Sequence, residues 1–256
     1  MRRCRGVILC FGLTSILSGQ IRQSIDRNIR SVRTVAAAEV PPPLTVRAIA
    51  AGGTHSVVLA SDGTVWAWGD NSEGQLGNGA SAAPPAPAEV NGLSGVVAIS
   101  AGFAHTVALK SDGTVWAWGK NREGQLGDGT TIGRAKPVQV RGLGGIVAVA
   151  AGNSHSLALK DDGTVWVGGD NGWGQLGDGT TVGRATPALV PGLTGVTAIA
   201  AGQAHSLALR RDGTVWAWGN NWFGQLGNGT IAPQGSGPIS VNLRKGVAWP
   251  FAVWFR

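Results

Sequence analysis

The chain's four histidines, His55, His105, His155 and His205, recur at intervals of 50 residues. Imidazole is a common metal ligand, so a ring of histidines around a shared axis could bind a metal ion. Each histidine, however, follows an Ala-Gly pair at the same distance and precedes an apolar stretch. This fixed context favours a structural hydrogen-bonding role, and we predict no metal site.

Other repeated polar residues are explained by turns and loops. Asp62 recurs at positions 112, 162 and 212 in Asp-Gly hairpin turns, and Asn71 recurs at 121, 171 and 221 in loops. Asp128 and Asp178 lie in Gly-Asp-Gly turns that lack the spaced oxygen ligands of a calcium site. No Ser-His-Asp, phosphate-loop or zinc-type spacing occurs. We therefore predict a protein that is not an enzyme and uses no cofactor.

These residues belong to four full 50-residue repeats made of short strands. Three motifs recur without insertion: Ala-Gly-x-x-His-[ST], Asp-Gly-Thr-Val-Trp and Gly-Gln-Leu-Gly-[ND]-Gly. In the second unit we predict strands at 96–100, 106–110, 114–118 and 138–140. Each strand pairs a large apolar face with a small one, so identical sheets can stack. The pattern predicts an all-β propeller of four-stranded blades.

The motifs carry two tryptophans per unit in a Trp-x-Trp pair. The first of each pair is predicted to be structural: Trp66, Trp116, Trp166 and Trp216. The second is replaced by Gly168 in the third unit, which predicts a void between blades. Trp173, five residues later, could fill that void.

Together these motifs closely resemble the regulator of chromosome condensation repeat family over about residues 36–230. The resemblance implies a β-propeller, usually of seven blades, whose ring is closed by strands from both chain ends. Four units predict an incomplete or open ring, self-association that closes it, or a truncated gene. A strand at 38–40 or one at 238–241 could complete the last blade.

The extent of the repeats predicts three regions: 1–35 as a signal-like basic segment, 36–241 as the propeller domain, and 242–256 as a divergent tail. Residues 1–47 carry a net charge of +6, residues 48–230 carry −2 and residues 231–256 carry +3. The repeats are therefore slightly acidic, which argues against a nucleic-acid partner. Both cysteines, Cys4 and Cys10, lie outside the repeats.

The N-terminus resembles a secretory signal. Arg2, Arg3 and Arg5 precede an apolar run at 6–17 that is too short to span a bilayer comfortably. This predicts a secreted or cell-surface protein with no membrane contact beyond the signal segment. An unstructured apolar N-terminus in a cytoplasmic protein is the alternative.

Positions that differ among the repeats are free to carry function. The pair after the repeated asparagine reads Ser-Glu, Arg-Glu, Gly-Trp and Trp-Phe in the four units. If the loops share one rim, they form an aromatic and arginine surface typical of protein-binding hot spots. The predicted partner-binding residues are Phe103, Arg122, Trp173, Trp222 and Phe223. The alternative is that these rings fold back on their own blades.

The leading functional hypothesis is a non-enzymatic scaffold that binds or inhibits a secreted protein. The family resemblance supports it, since bacterial relatives include protein inhibitors of secreted enzymes. The family also implies two alternatives: guanine-nucleotide exchange on a small GTPase, and ultraviolet sensing through clustered tryptophans. Exchange needs a wedge-like insertion that these repeats lack, and the sensing motif is not seen.

Overall fold

The computed structural model describes residues 44–80, 82–231, 236–241 and 243, which form sixteen strands in four antiparallel sheets. Blade 1 contains β1 (Val46–Ala51), β2 (His55–Ala60), β3 (Val65–Gly69) and β4 (Ala88–Glu89). Blade 2 contains β5 (Val96–Ala101), β6 (His105–Lys110), β7 (Val115–Gly119) and β8 (Arg134–Gln139). Blade 3 contains β9 (Ile146–Ala151), β10 (His155–Lys160), β11 (Val165–Gly169) and β12 (Arg184–Leu189). Blade 4 contains β13 (Val196–Ala201), β14 (His205–Arg210), β15 (Val215–Gly219) and β16 (Ile239–Ser240).

The predicted all-β architecture of four-stranded blades is therefore confirmed. The predicted boundaries at 35 and 36 lie outside the described residues, as does most of the tail at 242–256. The described part of the chain contains no helix long and apolar enough to cross a membrane.

The central hairpin of each blade follows from its Asp-Gly-Thr turn. In blade 1, Gly63 has a φ of +84°, a conformation that glycine adopts without steric cost. The Asp62 carboxylate accepts bonds from the Thr64 amide at 3.0 Å and the Thr64 hydroxyl at 2.7 Å. That hydroxyl also accepts the indole N–H of Trp66 at 3.1 Å. The turn thus sets the register of β2 and β3 and the orientation of the first tryptophan.

The outer strand of blade 2 begins earlier than predicted. The sequence predicts 138–140, whereas β8 spans Arg134–Gln139. Pairing of Arg134 with Gly119 extends the strand, with a register shift beside Ala117. Residues in such an irregular segment do not alternate regularly between apolar and polar. The sequence pattern therefore predicts only the last residues of β8.

The hydrophobic core lies between blades. Val57, Leu59 and Val65 of blade 1 pack against Ala108 and Trp118 of blade 2. The same arrangement recurs between blades 2 and 3 and between blades 3 and 4. The first strands of successive blades also contact one another. The four sheets therefore stack as neighbouring blades of a propeller.

The last blade is completed by residues near the end of the repeats. Ile239 pairs with Ala217 and Ser240 pairs with Trp216, so β16 forms the outer strand beside β15. Of the two predicted candidates, the structure thus uses the segment at 238–241. The other candidate, at 38–40, lies outside the described residues.

The two outermost faces of this stack are exposed. On blade 1, Ile49 is 78% exposed and Val46 is also exposed, whereas the equivalent Val96 of blade 2 is buried. On blade 4, Leu209 is 40% exposed, whereas Leu59 at the same position of blade 1 is fully buried. Within the described residues, the four blades form an open arc.

Candidate protein-binding surface

The loops that differ among the repeats lie at one end of the blades. In each blade, this edge holds the end of the first strand, the start of the second and the end of the third. In blade 1, for example, Ala51 at the end of β1 pairs with Ser56, and His55 at the start of β2 pairs with Gly69 at the end of β3. We call this edge the loop rim: residues 52–54 and 70–74 with their equivalents in blades 2 to 4. The predicted sharing of one rim by these loops follows from this topology.

A repeated glutamine holds each rim loop in shape. In blade 1, the Gln75 side chain accepts the Glu73 amide at 2.9 Å and donates to the Asp70 carboxylate at 2.8 Å. The buried Asn71 accepts the Leu76 amide at 3.1 Å and donates to the carbonyl of Ala80 at 2.8 Å. These contacts fix the backbone below the variable pair, so its side chains project from a rigid support.

Sequence reasoning missed this glutamine, although it recurs in every Gly-Gln-Leu-Gly motif. Blade 2 departs from the pattern because Lys120 replaces the acceptor that Asp70 provides in blade 1. The buried Gln125 Nε2 consequently has no hydrogen-bond partner within the described residues.

The aromatic members of the predicted surface meet on blades 3 and 4. The rings of Trp173 and Trp222 pack edge to face, with centroids 5.9 Å apart and planes at 85°. Both are exposed, and the adjacent Phe223 is 92% exposed. We call these three residues the aromatic cluster. Phe223 projects into solvent, whereas the two tryptophans contact each other across neighbouring blades and remain about half exposed.

Arg122 and Phe103 lie on the same rim but make different contacts. Arg122 Nη2 lies 3.2 Å from Glu73 Oε1 of the preceding blade, and its side chain is largely exposed. Phe103, which is also exposed, lies over the backbone of Gly53 beside the axial depression lined by the 51–53 loops. The rim therefore carries a charged pair and Phe103 on blades 1 and 2, and the aromatic cluster on blades 3 and 4.

Trp173 does not replace the tryptophan missing at Gly168. A cavity of about 20 Å³ lies beside Gly168, Pro187 and Leu126, so the predicted void is present. Trp173 does not line it and instead contacts Trp222 on the rim. The proposal that Trp173 fills the void is wrong, because its loop holds it at the surface.

The histidines join neighbouring blades. His55 Nε2 lies 2.9 Å from Thr106 Oγ1, His105 Nε2 lies 3.0 Å from Ser156 Oγ, and His155 Nε2 lies 3.1 Å from Ser206 Oγ. The hydroxyls of Thr106, Ser156 and Ser206 in turn donate to the carbonyls of Gln75, Gln125 and Gln175 in the preceding blade. These contacts are between blades and away from the exposed rings.

The aspartates of the Gly-Asp-Gly turns are engaged locally. Asp128 Oδ2 lies 2.8 Å from Arg134 Nη2 and Oδ1 accepts the Thr130 hydroxyl at 2.7 Å. Burial raises the pKa of Asp128, but the hydrogen bonds from Thr130 and Arg134 outweigh it and hold the pKa below its usual value. Asp178 makes the corresponding contacts with Arg184 and Thr180. Both carboxylates therefore brace their own loops.

We expect stability to fall as the pH drops from 6.5 toward 4. Burial lowers the pKa from 6.5 to about 4 for His55 and His155 and to about 3 for His105, whose neighbouring histidines add to the effect. In this window the unfolded chain binds protons that the folded chain does not, so the free energy of unfolding decreases. The slope is at most about 1.4 kcal/mol per pH unit for each histidine.

Urea unfolding at pH 7, 6 and 5 measures this slope. Asp128 adds a further loss of stability only at lower pH, because its lowered pKa keeps the carboxylate charged until the pH falls below the usual range for aspartate. His105→Gln should be less stable at pH 7 but lose less stability on acidification. Equal unfolding midpoints at pH 7 and pH 5 would contradict the assignment.

Fold and rim together define a β-propeller-type repeat protein whose variable loops are exposed at one edge of the blades. Residues 5–251 match the family model described as the RCC1-like domain. The chain belongs to this family, and the predicted family resemblance is confirmed.

Several relatives share parts of the chain. It is 43% identical over 54 residues to the ultraviolet-B receptor UVR8 of Arabidopsis thaliana, covering 21% of this chain and 12% of the receptor. It is 31% identical over 102 residues to human RCC2, covering 36% of this chain and 19% of RCC2. The chain thus spans no more than about a fifth of these curated relatives.

Solved structures extend the likeness to most of the described blades. Human WBSCR16 aligns with a TM-score of 0.71 and 28% identity, over 78% of this chain and 53% of that chain. Yeast RCC1 (Prp20), solved bound to Kap60, aligns with a TM-score of 0.68 and 28% identity, over 79% and 50%. A Saccharomyces cerevisiae Prp20p structure, reported with its binding properties to Gsp1p and histones, gives 0.68 and 29%, over 79% and 51%. The chain spans about half the length of these structures.

Proposed function

We propose that this protein is an exported, non-enzymatic scaffold that binds a secreted protein through the aromatic cluster on its loop rim. The observation that carries the proposal is the exposure of Trp173, Trp222 and Phe223 on loops whose backbone amides at Trp173 and Phe223 are held by the side chains of Gln175 and Gln225. Large rings held on a rigid support lose little conformational entropy when a partner covers them.

The chemistry of the rim favours a protein partner. Exposed tryptophan and phenylalanine gain most from burial against another apolar surface, and tryptophan and arginine are enriched in protein-binding hot spots. Arg122 and Glu73 provide charged groups on the neighbouring blades, where they would lie at the edge of such an interface. An apolar centre with a charged border is the usual anatomy of a protein–protein contact.

We expect Trp222→Ala combined with Phe223→Ala to weaken partner binding at least 30-fold, because each truncation removes a large buried ring from the interface. The full chain, tagged and incubated with concentrated culture medium or with cytosol from the same cells, would be used for capture and quantitative affinity measurement. A partner recovered from the medium supports the proposal.

Leu189→Ala is the matched control, since Leu189 is 44% exposed but lies on the outer strand of blade 3. Its affinity should remain that of the unmodified protein. Loss of binding in both variants, or in neither, would contradict a role for the aromatic cluster. Release of nucleotide from a captured GTPase would favour exchange, and an ultraviolet-dependent change in association would favour light sensing.

A further inference from the structure

The three junctions within the arc are built from the same set of bonds. At each one, a histidine contacts a hydroxyl of the next blade, and that hydroxyl donates to a glutamine carbonyl of the preceding blade; His55, Thr106 and Gln75 show this at 2.9 and 3.0 Å. At two junctions a buried indole donates to the same carbonyl, from Trp118 to Gln75 at 2.9 Å and from Trp218 to Gln175 at 2.8 Å.

A chain of backbone bonds near the axis repeats in the same direction. The amide of Gly53 donates to the carbonyl of Phe103 at 3.0 Å, and that of Phe103 donates to Asn153 at 3.3 Å. The amide of Asn153 then donates to the carbonyl of Gln203 at 3.1 Å. Each blade thus offers an amide to the next blade and a carbonyl to the previous one.

The two ends of the arc carry the two halves of a fourth junction. Blade 4 presents His205 and the Gln225 carbonyl, which are the equivalents of His55 and Gln75. Blade 1 presents Ser56 and Trp68, which are the equivalents of Thr106 and Trp118. No hydrogen bond from another blade reaches these four groups within residues 44–80, 82–231 and 236–241. His205 is correspondingly less buried than the other three histidines.

The apolar parts of the two end faces are complementary as well. Leu209 on blade 4 is equivalent to Leu59, Leu109 and Leu159, each of which is buried in the core shared with the next blade. Ile49 on blade 1 is equivalent to Ile99 and Ile199, which pack against the core shared with the preceding blade. Exposed side chains at both ends are therefore those that internal junctions bury.

We propose that a second copy of this chain docks head to tail on the first, so that blade 4 of each copy packs against blade 1 of the other. Ser56 would then meet His205 of its partner, and Trp68 would donate to the Gln225 carbonyl. The two copies form two identical junctions around one twofold axis, which is a closed arrangement.

The curvature of the arc supports closure by two copies. The described blades align with yeast RCC1 with a TM-score of 0.68 over 50% of that chain. Two such arcs together supply eight blades, against the seven that usually close a ring in this family. The resulting eight blades fall within the range observed for closed propellers.

Sedimentation of the full chain over a wide concentration range tests the proposal. We expect a mass twice that of the 26.1 kDa chain. Leu209→Lys on blade 4 and Ile49→Asp on blade 1 should each weaken association at least 100-fold, since each places a charge in both junctions. Leu189→Lys, at a similarly exposed position outside the end faces, should leave the dimer intact. Circular dichroism would establish that each variant is folded.

Mixing the two end variants distinguishes head-to-tail pairing from other dimers. The Ile49→Asp variant keeps an unmodified blade 4 face, and the Leu209→Lys variant keeps an unmodified blade 1 face. A mixed dimer therefore contains one junction without a substitution. The mixture should associate more strongly than either variant alone. A protein that stays monomeric at every concentration would overturn the proposal. This includes a monomer in which other parts of the same chain cover the exposed faces of blades 1 and 4. Masses that grow beyond two copies would overturn closure, and a dimer unaffected by Ile49→Asp would overturn the head-to-tail arrangement.

Discussion

Replacing Trp118 by alanine should lower the free energy of unfolding by about 3–5 kcal/mol. The Trp118 side chain is fully buried between blades 1 and 2, where its indole N–H donates to the Gln75 carbonyl at 2.9 Å. It also lies against Gly77, where an added Cβ would come within 2.7 Å of the indole nitrogen. Truncation removes the apolar contact and the hydrogen bond together and leaves a cavity.

Chemical unfolding followed by far-ultraviolet circular dichroism measures this loss without relying on tryptophan fluorescence. Trp222→Ala is the matched control, because the same side chain is removed from the exposed rim and the expected change is within about 1 kcal/mol. A loss below about 1 kcal/mol for Trp118→Ala would contradict this expectation and show that the junction closes around the missing ring.

Gly152→Ala should destabilise the fold by about 3 kcal/mol, or prevent folding. A Cβ at Gly152 would lie 2.6 Å from the Gly202 carbonyl oxygen of blade 4 and 2.5 Å from the Nδ1 atom of buried His155. Neither group can move freely, because one is backbone and the other is held by Ser206. Overpacking of this kind forces shifts in the surrounding backbone.

Gly144→Ala provides the control for this substitution, since a Cβ there meets no atom within 4 Å and the backbone is not in the left-handed region. Its midpoint of thermal unfolding should match that of the unmodified protein or rise slightly. If the two variants unfold at the same temperature, the close approach of Gly152 to its neighbours does not constrain the fold.

Much of the fold could be predicted because the same turn and strand motifs occur in all four repeats. Asp62 and Gly63 specify a hairpin, and the apolar residues on either side alternate as a strand requires. The irregular strand β8 was less predictable, because Arg134 joins the sheet through a register shift and an ion pair with Asp128. Neither feature leaves a periodic signal.

The candidate surface was predictable in its members but not in its geometry. Comparing repeats identifies Trp173 and Trp222 as variable, yet only the structure shows that they contact one another across two blades. The role of Gln75 was missed because its partners, Asp70 and the Glu73 amide, lie in the same loop and form no recognised motif. Likewise, spacing places His55 on a strand but does not reveal that it reaches the next blade.

Gly168 makes the junction between blades 2 and 3 weaker than the other two junctions. The junction between blades 2 and 3 retains the Ser156 hydroxyl bond to Gln125 but lacks an indole donor, and it encloses the cavity of about 20 Å³. In a linear array, stability depends on the coupling between neighbours, so unfolding separates units where that coupling is weakest. We therefore expect blades 1 and 2 to unfold as one unit and blades 3 and 4 as another, with the aromatic cluster entirely within the second.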